Sequence, residues 1–303
     1  MKKRYSNLNN VENNNTFKDL LKWNKERRSK VKDLSINIPH AIHKKINEIL
    51  ENKHLTSYTW IGHSTFFIQM NGLNILTDPV WAKRMGLQKR LTEPGIPLAE
   101  MPEIDVVVIS HGHYDHLDFP TLKKLNGNPH YFVPIGLKSL FLKKGFQKVT
   151  EMNWWENIEH RGIRIHFVPA QHWTRRTLND MNTSHWGGFI FQNKEETFYF
   201  VGDTGYFPGF KEIGERFQID VVFMPIGAYE PEWFMAVSHI SPEDSVKAFL
   251  ELKGQVFVPM HYGAYRLADD TGPEALERLL SEWEKRKLPV EQLKVLSIGE
   301  TVL

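Results

Sequence analysis

The chain has 303 residues, 41% hydrophobic and 24% charged, with a net charge of +2. This is the balance of a globular protein with a sizeable core, and it argues against nucleic acid or another polyanion as a partner. There is no cysteine, which excludes disulfides, thiolate metal ligands and a cysteine nucleophile and suits a reducing compartment.

The first residues, Met1-Lys2-Lys3-Arg4, are basic, but no apolar segment follows them. No run approaches the ~18 apolar residues of a membrane-spanning helix. A cytoplasmic location is expected. Residues 1–15 are polar and Asn-rich, and disorder is expected there. Thr16-Phe17-Lys18-Asp19 is a capping signal that opens a helix bearing Phe17, Leu20, Leu21 and Trp23. Lys22, Lys25, Arg27, Arg28, Lys30 and Lys32 make this stretch basic. Two roles stay open for it: a helix packed on the domain with solvated charges, or a peripheral contact with the inner membrane surface through aromatic anchors. A polar connector follows, with a short helix near 40–51. Residues 1–57 are therefore assigned to an N-terminal arm with a helical extension, and residues 58–303 to one domain.

From Tyr58 the sequence becomes strand-rich. Tyr58–Ile61 and Thr65–Met70 flank a Gly62-His63-Ser64 corner, and Asn71-Gly72 turns the chain into strand Leu73–Thr77. Residues 80–102 carry Pro94, Gly95, Pro97 and Pro102 and read as a long loop. Val106-Val107-Val108-Ile109 is a buried strand. Further strands are expected at 131–134, 149–152, 163–169, 186–192, 197–201, 220–225, 255–259 and 293–298, with helices at 119–125, 136–144, 210–216, 242–252 and 273–287. No short-period repeat is visible. Strands and helices in two similar halves predict sheet packed on sheet with helices outside.

Directly after Ile109 comes Ser110-His111-Gly112-His113-Tyr114-Asp115-His116-Leu117-Asp118. Four potential ligands, His111, His113, Asp115 and His116, fall within six residues at a strand end. His172, Asp203 and His261 occupy the same kind of position later in the chain. All seven offer nitrogen or oxygen donors suited to zinc, manganese or iron. A sheet edge that ends in such residues predicts a metal site held on rigid elements.

The pattern His-x-His-x-Asp-His, a later His, Gly202-Asp203-Thr204-Gly205 and a final His resembles the metallo-β-lactamase superfamily. Trp60-Ile-Gly-His-Ser-Thr, Leu76-Thr-Asp-Pro, Gln171-His-Trp and Pro225-Ile-Gly-Ala-Tyr-Glu-Pro resemble more narrowly its N-acyl-phosphatidylethanolamine-hydrolysing phospholipase D family. The likeness runs from about residue 58 to the end of the chain. It implies an α+β fold, the αββα sandwich of two mixed sheets flanked by helices. It also implies two divalent ions, zinc before manganese or iron(II). His111, His113 and His172 would hold one ion and Asp115, His116 and His261 the other, with Asp203 bridging. The implied activity is hydrolysis of a phospholipid or other small phosphodiester, by attack of a metal-bridging hydroxide on phosphorus. A lactonase, including one for sugar-phosphate lactones, and a nucleotide phosphodiesterase remain as alternatives on the same site. A homodimer is implied by the family alone. His113, where oxygen-reducing di-iron relatives carry an acid, favours hydrolysis.

Asp115 and His239 are the catalytic candidates. Asp115 would orient the nucleophile, and His239 would contact phosphate or protonate the leaving group. Tyr114, Arg175, Arg176, Tyr229 and Trp233 are assigned to substrate binding, with Trp173, Phe234 and Met235 as further candidates for an apolar wall. His63 and Asp118 are expected to stand behind the ligands and orient them, and Asp78 to fix a turn.

Overall fold

The computed structural model describes residues 3–36 and 38–303; Met1 and Lys2 of the basic N-terminal stretch lie outside them. Two large mixed sheets make up the centre. The first contains β1 (Ser57–Gly62), β2 (Thr65–Met70), β3 (Leu73–Thr77), β6 (Ile104–Val108), β7 (Gly127–Pro134), β8 (Val149–Met152) and β15 (Thr301–Val302). Its order is β15-β1-β2-β3-β6-β7-β8. The second contains β9 (Asn157–His160), β10 (Ile163–Val168), β11 (Gly188–Gln192), β12 (Thr197–Phe200), β13 (Val221–Pro225) and β14 (Val256–Met260), in the order β14-β13-β12-β11-β10-β9. A two-stranded ribbon, β4 (Arg84–Met85) and β5 (Gln88–Lys89), sits in the long loop.

Period-two patterning decides which side chains meet. Along β6, Val106 and Val108 enter the core between the sheets, whereas Val107 and the following Ile109 face outward. The sheets meet through aromatic rings: Phe66 of β2 and Phe223 of β13 lie 4.4 Å apart. Helices α2 (Ile46–Glu51), α3 (Phe119–Leu122) and α4 (Lys138–Lys143) contribute Ile49, Phe119, Leu122 and Phe141 to the outer face of the first sheet. Helix α7 (Pro242–Leu252) packs on β13 between α5 (Gly209–Arg216) and α8 (Gly272–Lys285). Helices thus cover both outer faces, the αββα sandwich expected.

Three departures from the expected elements matter. Leu293–Ile298 forms two isolated bridges, Leu293 with Phe257 and Ile298 with His40, and the last strand is Thr301–Val302 against β1. A short helix, α6 (Glu232–Met235), lies where no helix was expected. Residues 3–16 are ordered, although their composition predicted disorder. Asn7 is buried, and Tyr5 stacks on His185 at 4.7 Å. Polar composition failed as a guide because these side chains bond to the domain. Helix α1 (Phe17–Ser29) follows, with the expected capping box of Thr16 and Asp19. Its Trp23 indole and Lys30 ammonium both reach the buried Asp269, at 3.0 and 2.9 Å. No described helix is long and apolar enough to cross a membrane.

The topology gathers the site. Strands β1, β3 and β6 run in one direction in the first sheet, as β10, β12 and β14 do in the second. His63, Asp78, the Ser110–Asp118 loop, His172, Asp203 and His261 each follow one of these six strands.

Candidate metal centre

The seven sequence-predicted ligands converge at this end of the sandwich, in two groups. In the first, His111 Nε2 lies 2.9 Å and His172 Nε2 3.1 Å from His113 Nδ1. In the second, Asp115, His116 and His261 bring their donor atoms within 4.8 Å of one another, and His63 joins them. Asp203 stands between the groups. Its Oδ2 is 3.2 Å from His116 Nε2 and 3.9 Å from His172 Nε2, and its Oδ1 is 3.1 Å from His261 Nε2.

The backbone is bent to achieve this. His63, Asp78 and His261 adopt left-handed φ values of +54°, +35° and +61°, a conformation that costs a non-glycine residue about 1–3 kcal/mol and concentrates at functional sites. Gly202, at φ +70°, precedes Asp203, and a Cβ there would meet the Ser110 Cβ at 2.8 Å.

Hydrogen bonds fix which imidazole nitrogen faces inward. Asp78 is fully buried and accepts from the Ser110 amide at 2.7 Å and from the Ser110 hydroxyl at 2.5 Å. Because Ser110 Oγ donates to Asp78, it accepts from His111 Nδ1, 2.9 Å away. His116 Nδ1 donates to the same carboxylate at 2.6 Å, and His172 Nδ1 donates to the Ser238 carbonyl at 2.8 Å. In all three histidines Nδ1 is therefore engaged as a donor and Nε2 is turned to the centre, the orientation metal-ligating histidines require.

The electrostatics are balanced without an ion. Burial holds His111 and His172 well below the ordinary imidazole range, helped by neighbouring imidazoles, and pushes His113 down to about 4. Burial opposes charge on His116 and His261 too. Yet Asp203 and Asp115 override it, holding His116 well above its ordinary value and His261 up at about 9. Burial would raise Asp115 and Asp203, but His116, with His261, holds both well below the carboxylate range. Burial thus favours the neutral form at His111, His113 and His172, and the carboxylates favour the protonated form at His116 and His261. Divalent ions can take the place of those protons.

The donor set fits such ions. A tetrahedral zinc site with Zn–N of about 2.0–2.1 Å has donor–donor edges of roughly 3.3 Å, close to the spacings in the three-histidine group. His116 Nε2, His261 Nε2 and Asp203 Oδ1 are buried and have no hydrogen-bond partner among the described residues. Uncoordinated, they would each carry a desolvation cost.

Other expected site residues divide. His63 Nε2 is 3.2 Å from Asp115 Oδ2, within hydrogen-bond reach of it. His239 faces the site, with Nδ1 3.8 Å from Asp203 Oδ2, and burial pushes its pKa down to about 4. Arg175, Trp173, Phe234, Met235 and His239 line a cavity of about 400 Å³ beside the three-histidine group, closed on its other side by Phe17, Leu20 and Trp23 of α1. Trp233 packs on Phe234 at 5.5 Å but remains 44% exposed, outside that lining.

Four assignments are corrected. Asp118 caps α3, accepting from the Thr121 hydroxyl at 2.6 Å, so its carboxylate is engaged with a helix end instead of a histidine. Arg176 donates to the carbonyls of Gly112 and Leu117 at 2.8 and 3.0 Å, stapling the ligand loop with its Nη1 instead of binding phosphate. Tyr114 lies under that guanidinium, 4.0 Å from it, and bonds the Arg176 carbonyl, so it belongs to the same staple. Tyr229 is 1% exposed within the central core and is not part of the cavity lining. Proximity in sequence suggested all four, and local hydrogen bonding or packing claimed them. Conversely, Asp78 does more than fix a turn. Its signal, an acid directly after a strand on the site edge, was present in Thr77-Asp78-Pro79. Ser110 and Asn7 carried no local signal.

Residues 73–262 match the model of the beta-lactamase superfamily domain. The chain is 39% identical over 226 residues to N-acyl-phosphatidylethanolamine-hydrolyzing phospholipase D 1 of Caenorhabditis elegans, an alignment covering 68% of this chain and 64% of that protein. It is 31% identical to a metal-dependent hydrolase of Methanopyrus kandleri, covering 80% of this chain and 97% of the relative. A metallo hydrolase from Ignicoccus hospitalis shares the fold, with a TM-score of 0.61 at 24% identity over 82% of this chain and 97% of that one. The chain belongs to the beta-lactamase superfamily. Within it, its place is among the metal-dependent hydrolases.

Proposed function

We propose that this chain is a dinuclear phosphodiesterase of phospholipase D type, acting on N-acyl-phosphatidylethanolamine-like or related phospholipids. The observation that carries the reading is the junction of the donor cluster with the apolar cavity, with His239 at the boundary. At about 400 Å³ the cavity lies within the range of small-molecule sites. Its walls of Phe17, Leu20, Trp23, Trp173, Phe234 and Met235 suit acyl chains, and Arg175 in the same wall suits a phosphate. The names of relatives in C. elegans and Saccharomyces cerevisiae, both N-acyl-phosphatidylethanolamine-hydrolyzing phospholipases D, support the same class of substrate.

His111, His113 and His172 would hold one divalent ion and Asp115, His116 and His261 the other, with Asp203 shared. Zinc suits these donors, and manganese or iron(II) are the alternatives. Two bound ions supply Lewis-acid polarisation of the phosphoryl group and activation of water. The chain's residues do the rest. Asp115, held by His63, orients the attacking oxygen. His239, its pKa pushed down by burial, hydrogen-bonds the phosphoryl oxygen through its ring N–H. His111, His116, His172, Asp203 and His261 are themselves buried, which strengthens each charge interaction among them.

The rim of the cavity favours a lipid surface as the source of substrate. Phe17, Leu21 and Trp233 are 72%, 54% and 44% exposed, and Lys22 Nζ lies 4.2 Å over the Trp233 ring. Such a mixture of aromatic and basic groups suits an anionic interface.

The test is hydrolysis in ¹⁸O-labelled water of N-acyl-phosphatidylethanolamine, a bis-aryl phosphate and lactones. The expected products from the lipid are labelled phosphatidic acid and unlabelled N-acylethanolamine. Label in the ethanolamine, or lactone opening with no phosphodiester cleavage, would overturn the reading.

A further inference from the structure

The N-terminal arm touches the candidate metal centre at one ligand. Asn7 is 7% exposed and uses its whole amide. Its Oδ1 accepts from the backbone N–H of His172 at 2.9 Å and from the Trp186 indole at 2.8 Å. Its Nδ2 donates to the His172 carbonyl and to the Val11 carbonyl, both at 2.9 Å. Asn7 thus grips both backbone groups of His172, as a neighbouring strand would. A few residues on, Asn13 Nδ2 donates to Ser238 Oγ at 3.2 Å. Ser238 is the residue whose carbonyl receives the His172 Nδ1 proton. The arm therefore holds both the backbone of His172 and the loop on which its imidazole leans.

Four of the other ligands are supported from within the sandwich. His111 and His116 lean on Ser110 and Asp78, Asp115 on His63, and the His261 amide donates to the His63 carbonyl at 3.2 Å. His172 stands apart, four residues beyond the end of β10.

We propose that residues 3–16 form a strap that sets the metal affinity of the three-histidine group, with Asn7 as its positioning residue. The proposal rests on His172 being a ligand, as argued above. Asn7 touches no reacting atom; it acts by keeping His172 Nε2 3.1 Å from His113 Nδ1. Loss of the grip lets the His172 loop relax and weakens one ion's site while leaving the Asp115/His116/His261 group intact. Losing an outer support of this kind typically costs ~10–100-fold in metal affinity.

The experiment follows zinc leaving the fully loaded, full-length protein in the presence of a chromophoric chelator. In Asn7→Ala one of two zinc equivalents should leave ~10–100-fold faster than in the wild type, with the other unchanged. Asn13→Ala, which removes the single bond to Ser238, should accelerate the same equivalent by a smaller factor, and it decides the matter if Asn7→Ala does not fold. Equal acceleration of both equivalents marks a general loosening and overturns the proposal, as does no change in either. A wild type that holds fewer than two zinc ions overturns the dinuclear reading itself, and the strap with it; that outcome appears before any variant is made.

Discussion

The Ser110–Asp118 loop and the N-terminal arm both contribute residues to the candidate metal centre, by opposite means. The loop places its donors through adjacency: the end of β6 delivers His111, His113, Asp115 and His116 within one turn of chain. The arm reaches His172 across 165 residues, through an asparagine in a stretch whose composition suggests disorder. The contrast separates two jobs. Donors are chemically specialised and cluster after strand ends, whereas their supports are ordinary polar residues that act through backbone groups.

That division can be broken by substitution. Asp203→Ala removes the carboxylate between the groups, and loss of a metal equivalent with activity reduced by more than ~100-fold is expected from metal analysis and initial rates. His239→Ala should lower kcat by ~10²-fold or more while both metals are retained, which marks it as a catalytic group and not a ligand. Asp78→Asn, with no donor changed, should weaken metal binding by ~10–100-fold in competition titrations, because an amide has one acceptor oxygen and cannot serve the Ser110 hydroxyl and His116 Nδ1 on one side and the Ser110 N–H on the other. A small effect there would mean that the strand ends alone suffice.

The arm's docking has a pH signature. His185, stacked between Tyr5 and Trp154, is held down to about 3 from its ordinary 6.5, by burial and then by Lys3. Above pH ~6.5 both folded and unfolded states leave it neutral. As pH falls below 6.5 the unfolded chain takes up the proton first, so stability declines by up to about 1.4 kcal/mol per pH unit from this group. Denaturation of wild type and His185→Phe at pH 7 and pH 5 should show a smaller acid loss in the variant. Equal losses would remove His185 as the source.

Much of the fold and the donor set was legible in the sequence for one physical reason. Period-two apolar runs such as Val106–Ile109 mark buried strands, and His or Asp at their ends has few explanations other than a site. The walls were less legible. Tyr229 and Trp173 are both aromatics next to strand ends, and only packing sends one into the core and the other to the cavity. Arg176 and Arg175 are neighbours, yet the first is committed to the carbonyls of Gly112 and Leu117 while the second lines the cavity. Long-range hydrogen bonds such as those of Asn7 leave no local pattern.

The central claim is that seven residues form one two-ion centre. It is tested most directly by titrating metal-free wild-type protein with zinc, following bound metal and phosphodiesterase activity together. Two equivalents per chain are expected, with activity complete only when both are bound. Full activity with no metal, or a single equivalent that suffices, would contradict it.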